Sequence, residues 1–498
     1  MLMVSVFMLG FWVGRRHDWL NTLALAALVI LMLYPPALLT VSFQLSFAAV
    51  LAILLGCMRW PGQIEYQADS LRQKLRRRLL TFVWVSALAI LGTLPLVLHY
   101  FNQASVVGLA TNLIVVPLVG VVILPAGLLG AAVFGVSPAL GRLCWHLAAW
   151  GADLVCAVVH RVAAWPWASV HTVTPNAVEV ILFYALFALA LYWRRIPRRV
   201  AALTVVLALC CLDVGYWVYQ RHFRTDLRVT ALDVGQATAN LVEFPGGYTM
   251  MVDGGGFSDN AIFDVGAKVL APLLWRKKIM TVDLVVLSHA NSDHLNGLLY
   301  LLKQFNVAEA WSNHEPAPTR GYHRWAALLA QHHIRHTAFD QLPRITTRHG
   351  VRLEILAPAR GFLRRADIGG DKDLNDNSLV LRASYGQVSF LFTGDITAQA
   401  ESDLVARVGG PRLRSTVLMV PHHGSRTSST MAFLSAVSPA EAIISSGWQN
   451  RFHFPHEAVL RRLRREACRI WSTATSGAVE VITDGQGYTI RTNRADLP

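Results

Sequence analysis

Imidazole and carboxylate side chains are concentrated directly after one apolar run of the chain. Residues 284–287 are all apolar, and His289, Asp293 and His294 follow within a few positions. The run predicts a buried strand, and a helical pattern begins near Leu295. Imidazole and carboxylate groups are common protein ligands of divalent metal ions, so this stretch is a candidate metal site. The spacing alone is a weak signal, because such a short pattern often arises by chance.

Further motifs along the chain strengthen this interpretation, because they carry side chains of the same kinds. They are LDVGQ with Asp233 and Gln236, VDGGG with Asp253, LFTGD with Asp395, VPHHGS with His422 and His423, and HFPH with His453 and His456. LFTGD and VPHHGS again follow apolar runs. Several strand ends that carry metal ligands would form one site if the fold brought them together.

Composition divides the chain into two parts. Of its 498 residues 54% are hydrophobic and only 15% are charged. Residues 1–223 contain 15 of the 45 Lys and Arg and 6 of the 31 Asp and Glu. We therefore expect a polytopic α-helical membrane domain over residues 1–223 and a soluble domain over residues 224–498. The six cysteines imply neither a disulfide framework nor a thiolate metal site.

Eight apolar stretches of the first part are candidates for membrane spans, each of which needs about 20 apolar residues. They lie near residues 1–14, 19–33, 37–58, 79–99, 105–135, 140–163, 176–193 and 200–220. The stretch with Pro117 and Pro125 is expected to be a broken or re-entrant pair. Basic clusters at residues 15–16, 72–78 and 194–199 are expected in the cytoplasm, which leaves the soluble domain on the outer face.

Polar residues within these apolar stretches need partners, because an unpaired polar group in hydrocarbon is costly. Gln44 and Asn112 are expected either to form interhelical hydrogen bonds or to line a pore. His146, Asp153 and His160 recur every seven residues and so share one helix face. That face is expected to line the polar interior of the bundle, or else Asp153 pairs with a neighbouring helix.

Alternating strand and helix patterns in the second part predict a layered α/β fold. Strands are expected within residues 226–242 on both sides of a turn at 235–236, and at 248–253, 282–288, 388–392, 417–420 and 442–446. Helices are expected near residues 261–275, 397–407 and 457–467.

The order of these motifs resembles the metallo-β-lactamase fold, and more specifically the C-terminal domain of the ComEC family of bacterial DNA-uptake channel proteins. NDNSLVL at residues 375–381 adds to the resemblance. FQLSFAAV at 43–50 and GLATNLIVVPLVGVVILP at 108–125 are similar to the channel domain of that family. The resemblance implies a polytopic membrane domain followed by an αββα sandwich with metals at one sheet edge. It also leads us to expect that the chain lacks the family's N-terminal part.

The resemblance implies a role for each metal-motif residue. His289 corresponds to the first metal position, Asp293 and His294 to the second, and Asp395 to a carboxylate that bridges both. His422 is expected to be the further histidine ligand, in preference to His423.

Other residues are assigned supporting or catalytic roles by the same resemblance. Asp253 is expected to orient a ligand imidazole. Asp293 is expected to orient the attacking water or accept its proton, and His456 to be a ligand or to face the substrate. Asn291 occupies a position where the family commonly has His or Asp. Because an amide oxygen is a weak ligand, we expect a looser first position and one or two zinc or manganese ions.

The function implied is DNA uptake during natural transformation. The membrane domain would conduct single-stranded DNA, and the second domain would degrade the other strand as a metal-dependent phosphodiesterase or nuclease. The basic run at residues 461–469 could guide DNA or be a solvated helix face. Two alternatives stay open: a membrane-anchored metallohydrolase of a small ester or thioester without transport, and a catalytically inactive DNA-binding channel.

The expected location is the inner membrane, crossed several times, with the second domain on the periplasmic side. Expected partners are single-stranded DNA and membrane lipid. By resemblance they also include a competence DNA receptor and a cytoplasmic DNA-translocating ATPase, and self-association into a homo-oligomer is left open.

Overall fold

The computed structural model describes residues 19–58, 70–359 and 374–494. The chain forms two compact units, Met1–Val214 and Gly215–Pro498. The span expected near residues 1–14 and the arginines at positions 15 and 16 lie outside the described residues.

Seven helical segments follow the remaining apolar stretches. They are α1 (Trp19–Leu33), α2 (Val41–Cys57), α3 (Leu71–Phe101), α4 (Gly108–Phe134), α5 (Pro138–Ala163), α6 (Ala177–Tyr192) and α7 (Arg199–His222). Of these, α3, α4, α5 and α7 are long and apolar enough to cross a membrane, and α1, α2 and α6 are shorter apolar helices. A 3₁₀ turn at Pro35–Leu39 and two short paired strands, β1 (Gln103–Ser105) and β2 (Ser169–His171), complete the described part of this unit.

The expected break in the stretch with two prolines takes the form of a widened helical segment. α4 runs through both prolines, and Leu118–Ile123 between them is π-helical. Proline removes a backbone donor from a helix, and a wider turn accommodates that loss without ending the helix. This part of the chain is therefore one helix of irregular pitch and not a re-entrant pair.

Close packing of α2 against α3 depends on small side chains. A Cβ atom at Gly92 would lie 2.2 Å from the Cβ atom of Ala52. Such contacts let two apolar helices approach closely, which is how helices associate in lipid. Gln44 accepts a hydrogen bond from the hydroxyl of Tyr100 at 2.8 Å and donates to the carbonyl of Leu38 at 2.9 Å. For Gln44 the structure therefore shows the interhelical hydrogen bond.

The polar face of α5 does not pack against its neighbours within the described residues. His146, Asp153 and His160 are all exposed in this unit. The helix packs instead through Gly141 and Gly151, its two buried residues. The expected burial of Asp153 against a neighbouring helix is thus not observed in the part of the chain that is described.

The second unit is built from fifteen described strands and several helices. The strands are β3 (Leu227–Ala231), β4 (Ala239–Glu243), β5 (Thr249–Gly254), β6 (Thr281–Leu287), β7 (Asn306–Ser312), β8 (Arg335–Ala338), β9 (Ile345–Arg348), β10 (Val351–Ala357), β11 (Val380–Tyr385), β12 (Val388–Phe392), β13 (Val417–Met419), β14 (Glu441–Ile444), β15 (Arg469–Ser472), β16 (Val479–Thr483) and β17 (Tyr488–Thr492). One sheet has the order β17-β16-β3-β4-β5-β6-β7-β8, and the other has the order β15-β14-β13-β12-β11-β10-β9.

The helices of this unit connect the strands. They are α8 (Ala271–Arg276), which continues a π-helical turn at Gly266–Leu270, α9 (Ser292–Gln304), α10 (Arg320–Gln331), α11 (Ala398–Val408), α12 (Gly410–Leu413), α13 (Met431–Val437), α14 (Glu457–Arg465) and α15 (Thr473–Ser476). Short 3₁₀ turns occupy Pro245–Gly247, Leu374–Asn377 and Pro421–Gly424.

Alternating apolar residues place the two sheets face to face. In β6, Leu284 and Val286 belong to the core between the sheets, whereas Val285 and Leu287 pack with α8, α9 and α10 on the other side. In β12, Phe390 faces the shared core and Leu391 packs with the helices of the second sheet. Because strand side chains alternate with a period of two, each sheet buries both faces. The result is the αββα sandwich that the resemblance implies.

Parallel strands at the centre of each sheet bring several strand ends to one edge. β6 runs parallel to β5 and β7, and β13 runs parallel to β12 and β14. The segments that follow β6, β12 and β13 contain the predicted metal ligands. The parallel direction of these strands thus brings the three motifs to the same edge of the sandwich.

The helix after β6 approaches the neighbouring strand more closely than a side chain would allow. The amide of Gly297 in α9 donates to the carbonyl of Gly255 at 2.8 Å. A Cβ atom at Gly297 would lie 2.0 Å from the carbonyl oxygen of Gly254. Backbone cannot move aside as a flexible side chain can, so this position requires glycine.

We predict that Gly297→Ala destabilises the second unit by about 1–3 kcal/mol, the usual cost of overpacking. Differential scanning fluorimetry of the detergent-solubilised chain should show an unfolding temperature lower by roughly 2–10 °C. Gly487→Ala is the matched control, because a Cβ atom there meets nothing within 4 Å. Equal unfolding temperatures for the two variants would contradict the close approach.

Candidate metal centre

The ends of three strands supply the candidate ligands. Ser288 and His289 follow β6, and Asp293 and His294 lie in the first turn of α9. The helix amino terminus carries partial positive charge, which favours a carboxylate in this turn. Asp395 follows β12, and a 3₁₀ turn with two histidines follows β13.

Four of these side chains converge on one point. Asp293, His294, Asp395 and His423 each offer one ligand atom, and these atoms all lie within 4.8 Å of one another. Nε2 of His294 lies 3.1 Å from Oδ1 of Asp395. Nε2 of His423 lies 3.4 Å from Oδ2 of Asp293 and 3.6 Å from Oδ2 of Asp395. Two imidazoles and two carboxylates therefore form a compact donor set.

Both imidazoles of this set are held through their other ring nitrogen. Nδ1 of His294 lies 2.8 Å from Oδ2 of Asp253, and Nδ1 of His423 lies 2.8 Å from the carbonyl oxygen of Ser445. These acceptors hold a proton on Nδ1 of each ring, so that Nε2 offers its lone pair once a cation has displaced the proton there. An outer acceptor of this kind is the usual partner of a metal-binding histidine.

Asp253 is the centre of this outer hydrogen-bond network. Its Oδ1 accepts from the amide of Ser288 at 2.8 Å, and its Oδ2 accepts from the Ser288 hydroxyl at 2.8 Å. Asp253 is 1% exposed, so these bonds and the contact with His294 replace its hydration. The structure places Asp253 where the sequence analysis expects it, against the imidazole of a candidate ligand.

Several buried polar atoms at this site have no hydrogen-bond partner. They are Nε2 of His289, Nε2 of His294 and Oδ1 of Asp395, of which the last two face each other at 3.1 Å without hydrogen-bond geometry. Buried polar atoms are nearly always paired, so this group of atoms fits a bound cation. Nitrogen and oxygen donors in this number suit a divalent transition metal ion. The residues present thus fit a metal site of the kind that the sequence predicts.

Charges within the cluster raise the pKa of His294 and lower that of Asp395. Burial by itself lowers the pKa of His294, but the carboxylates of Asp395 and Asp253 outweigh burial and raise this pKa well above its ordinary value. Burial raises the pKa of Asp395, yet His294 and His423 bring it well below its ordinary range. Without a cation, both groups therefore favour their charged forms. Metal binding would release the proton that His294 carries.

The structure resolves which histidine of VPHHGS joins the donor set. His423 lies within it, whereas the ring of His422, the residue preferred from sequence, lies with its centroid 6.4 Å from that of His423 and 6.1 Å from that of Phe454. Both histidines have left-handed backbone conformations, with φ of 52° and 55°. Such strain in non-glycine residues is typical of functional sites.

Other predicted site residues lie beside the four donors. The ring centroid of His289 is 4.2 Å from that of His294, and Nδ1 of His289 contacts the hydroxyls of Ser288 at 3.0 Å and Ser378 at 3.3 Å. Asn291 donates from its amide group to Asn375 at 2.7 Å. The expectation of a looser first position, with His289 and Asn291, stays a prediction.

His456 occupies the amino terminus of α14. Its Nδ1 accepts from the amide of Ala458 at 3.2 Å, and its own amide donates to Gly424 at 2.9 Å. His456 thus caps a helix and holds the loop that contains the ligand histidine. Its predicted role towards the substrate stays a prediction.

Two serines connect the ligand loops, and the sequence analysis does not identify them. The hydroxyl of Ser378 accepts from the amide of Asp395 at 3.2 Å, and Ser288 contacts both His289 and His294. The amide of Leu379 also donates to the carbonyl of Ser288 at 2.9 Å. Serine in a loop is so common that only its position in SHANSDH and NDNSLVL could have suggested this role.

The cluster opens to solvent on one side only. The side chain of Asp293 is 33% exposed, whereas those of His294, Asp395 and His423 are 4% exposed or less. Asp293 lines a cavity of about 660 Å³. A substrate would therefore reach the donor set past Asp293.

Arginines of the basic run at residues 461–469 form contacts within the second unit. Arg462 donates to the carbonyls of Ser428 and Ser429, both at 2.8 Å. Arg464 pairs with Glu457 at 3.1 Å. These contacts favour the interpretation of residues 461–469 as a helix face over the interpretation that they guide DNA.

Comparison with known proteins assigns a family model to each part of the chain. Residues 1–197 match the competence protein family, and residues 232–448 match the metallo-beta-lactamase superfamily. The chain is 27% identical to ComE operon protein 3 of Bacillus subtilis (strain 168), over 96% of this chain and 60% of that protein. It is 29% identical to competence protein ComA of Neisseria gonorrhoeae, over 96% and 61%. The chain thus spans about three fifths of the length of these relatives.

A solved structure is similar to about half of the chain. Igni18, a metallo hydrolase from the archaeon Ignicoccus hospitalis, matches 51% of this chain and 98% of its own, with 15% identity and a TM-score of 0.35. The family models and relatives confirm the resemblance to the ComEC family, and the superfamily match together with the donor set indicates a divalent-metal site.

We predict that His423→Ala and His422→Ala differ in their effect on metal binding. His423→Ala removes one of four donors, so its affinity for zinc should fall by more than the roughly 10–100-fold that loss of an outer-shell partner costs. His422→Ala leaves the four donors intact and should change affinity much less. Competition with a chromogenic chelator measures both values. A larger loss for His422→Ala would reverse our assignment.

Asp253→Asn should weaken metal binding by roughly 10–100-fold, because the amide cannot hold His294 as the carboxylate does. The same chelator competition is the measurement. Asp484→Asn, in an exposed turn, is the matched control and should bind metal like the unaltered chain. If Asp253→Asn keeps full affinity, Asp253 does not position the ligand.

Proposed function

Because this chain joins a competence-protein domain to a metallo-β-lactamase domain, the arrangement of the ComEC family, we propose that it acts in DNA uptake during natural transformation. In this proposal the membrane domain conducts a single strand of DNA across the inner membrane. The second domain hydrolyses the phosphodiester bonds of the other strand. Named relatives that are competence proteins support this assignment, and the candidate metal centre supports the hydrolytic part.

One observation carries the hydrolytic proposal. The donor set of Asp293, His294, Asp395 and His423 is buried at the carboxyl ends of strands from both sheets, yet it opens to a cavity through Asp293. A purely structural metal site would be closed on all sides, whereas a catalytic site needs an open position for the substrate.

The metal expected here is zinc or manganese, held by those four side chains. When bound, such a cation supplies Lewis-acid chemistry, because it makes water more acidic and offsets negative charge on a phosphate ester. Burial of His294, Asp395 and His423 excludes water from all but one side, which strengthens electrostatic interactions within the site.

The residues of the chain have separate tasks in this proposal. Asp253 and Ser445 fix the proton positions of the two imidazoles. Asp293, at the open side, is placed to orient an attacking water molecule or to accept its proton. Burial raises the pKa of its carboxyl group, but without a cation the hydrogen bond from His423 and the charge of His294 outweigh burial and lower this pKa to about 2.

The proposed topology follows from the basic clusters. Residues 72–78 lie in the first turns of α3 and are exposed, and residues 194–199 end at the first residue of α7. If both clusters are cytoplasmic, α7 crosses outwards and places the second domain on the periplasmic side. We further propose membrane lipid, a competence DNA receptor and a cytoplasmic DNA-translocating ATPase as partners.

The full chain, reconstituted in lipid nanodiscs with manganese or zinc, should degrade a fluorescently labelled single-stranded oligonucleotide. A chelator should stop the reaction, and Asp395→Asn should reduce the rate to background, because it removes a carboxylate shared by the donor set. Gel electrophoresis of the products is the measurement. Asp340→Asn is the matched control, because Asp340 is exposed.

Other outcomes separate the alternatives. Turnover of a small ester or thioester without DNA cleavage would favour a membrane-anchored metallohydrolase. DNA binding with no cleavage under any divalent ion, together with full binding by Asp395→Asn, would favour an inactive channel.

A further inference from the structure

Three exposed aromatic rings surround the cavity into which Asp293 opens. Phe257, Trp448 and Phe452 line it and are 42%, 68% and 49% exposed. Single exposed apolar side chains are ordinary, but several around one concave surface indicate a binding site. The cavity also lies within the size range of ligand pockets, about 300–1,000 Å³.

The loop that carries two of these rings is fixed by hydrogen bonds. Asn450 donates from Nδ2 to the carbonyls of Gly447 at 2.8 Å and Phe454 at 2.6 Å, and its Oδ1 accepts from the amide of Phe454 at 3.0 Å. The amide of Gly447 donates to Oε1 of Gln236 at 3.1 Å. We call residues 447–454 the aromatic loop. The backbone that carries its rings is thus fixed before any ligand arrives.

A cation accompanies the rings of the aromatic loop. The guanidinium carbon of Arg451 lies 4.8 Å from the ring centroid of Phe452. Phe452 in turn stacks on Phe454, with ring centroids 5.6 Å apart and planes 22° apart. Arg451 is exposed, so its charge is available to an anion beside the aromatic surface.

We propose that the aromatic loop is a stacking platform for the bases of a single-stranded nucleic acid. In this arrangement unpaired bases stack on Trp448 and Phe452, Arg451 contacts the phosphate backbone, and the next phosphate lies at the donor set beyond Asp293. The inference rests on the proposed function and specifies how its substrate is held.

The chemistry of the surface favours a single strand over other occupants. Aromatic side chains combined with arginine are the usual platform for unpaired bases, since every base has a π-face. A duplex offers no free base faces along its length. A small apolar ester would match the rings, but it would leave Arg451 without an anion.

The test measures binding of a fluorescent oligothymidylate by anisotropy in nanodiscs, with Asp395→Asn in the background so that no strand is cut. Trp448→Ala should weaken binding by roughly tenfold, which lies within the range for loss of one stacked base. Trp448→Phe should recover most of this affinity. Trp448→Leu should behave like Trp448→Ala, because it keeps apolar bulk but has no ring.

The contribution of the Arg451 charge is measured through the salt dependence of DNA binding. Arg451→Gln should reduce the slope of log affinity against log salt concentration by about one. Arg335→Gln is the matched control, because Arg335 is 70% exposed and begins β8, a strand at the sheet's edge. Arg335→Gln should leave the slope unchanged.

Results against the platform are distinguishable from results against the proposed function. If the chain with Trp448 intact neither binds nor cleaves single-stranded DNA, the proposed function fails. If it does bind DNA, but Trp448→Ala binds equally well, only the platform is overturned. Equal binding by the leucine and phenylalanine variants would also overturn it, since the surface would then recognise apolar bulk. In chains that keep Asp395, zinc affinity should be the same in all Trp448 variants, which shows that these substitutions leave the metal centre intact.

Discussion

Burial of charge is the constraint on which the second unit depends. Asp253, His294 and Asp395 are almost completely excluded from solvent, and a buried charge without a partner is strongly destabilising. His294 lies between the two carboxylates, with 2.8 Å on one side and 3.1 Å on the other. Asp253 comes from a strand of one sheet and Asp395 follows a strand of the other. The two sheets must therefore pack so that Asp253 and Asp395 both reach His294. A shift of one sheet against the other would leave one of these carboxylates without its partner.

The sequence predicts much of this arrangement, because its signals are local. Apolar runs locate the strands closely, and β12 begins and ends where the sequence analysis expects. The position of Asp253 is predictable from the resemblance to a known family. The choice between His422 and His423 is not, since both have left-handed backbone conformations and no periodic pattern tells which ring points inwards. The contacts of Ser288 and Ser378 also join distant segments, which no single stretch of sequence shows.

In the membrane unit, the sequence predicts the positions of the helices but not the contacts between them. Apolar length predicts the spans, because the thickness of the bilayer sets the length of a helix that crosses it. Helix contacts depend instead on where small residues lie, as Gly92 beside Ala52 shows. The polar face that contains Asp153 needs a polar environment. The sequence does not identify the neighbour that supplies this environment. The positions of the apolar helices are thus predictable, and their side-chain partners are not.

Order in the aromatic loop gives a role to LDVGQ, a motif that supplies no residue of the donor set. Gln236 of LDVGQ contributes no metal ligand, yet its side chain holds Gly447. Asn450 closes the loop with three hydrogen bonds, so the backbone beneath the exposed rings loses little further freedom when a ligand binds. A rigid surface binds more tightly than a mobile one, because the cost of ordering is already met in the folded chain. In the proposed platform, Gln236 and Asn450 would therefore contribute through the position of the aromatic loop, and neither would need to touch the bases.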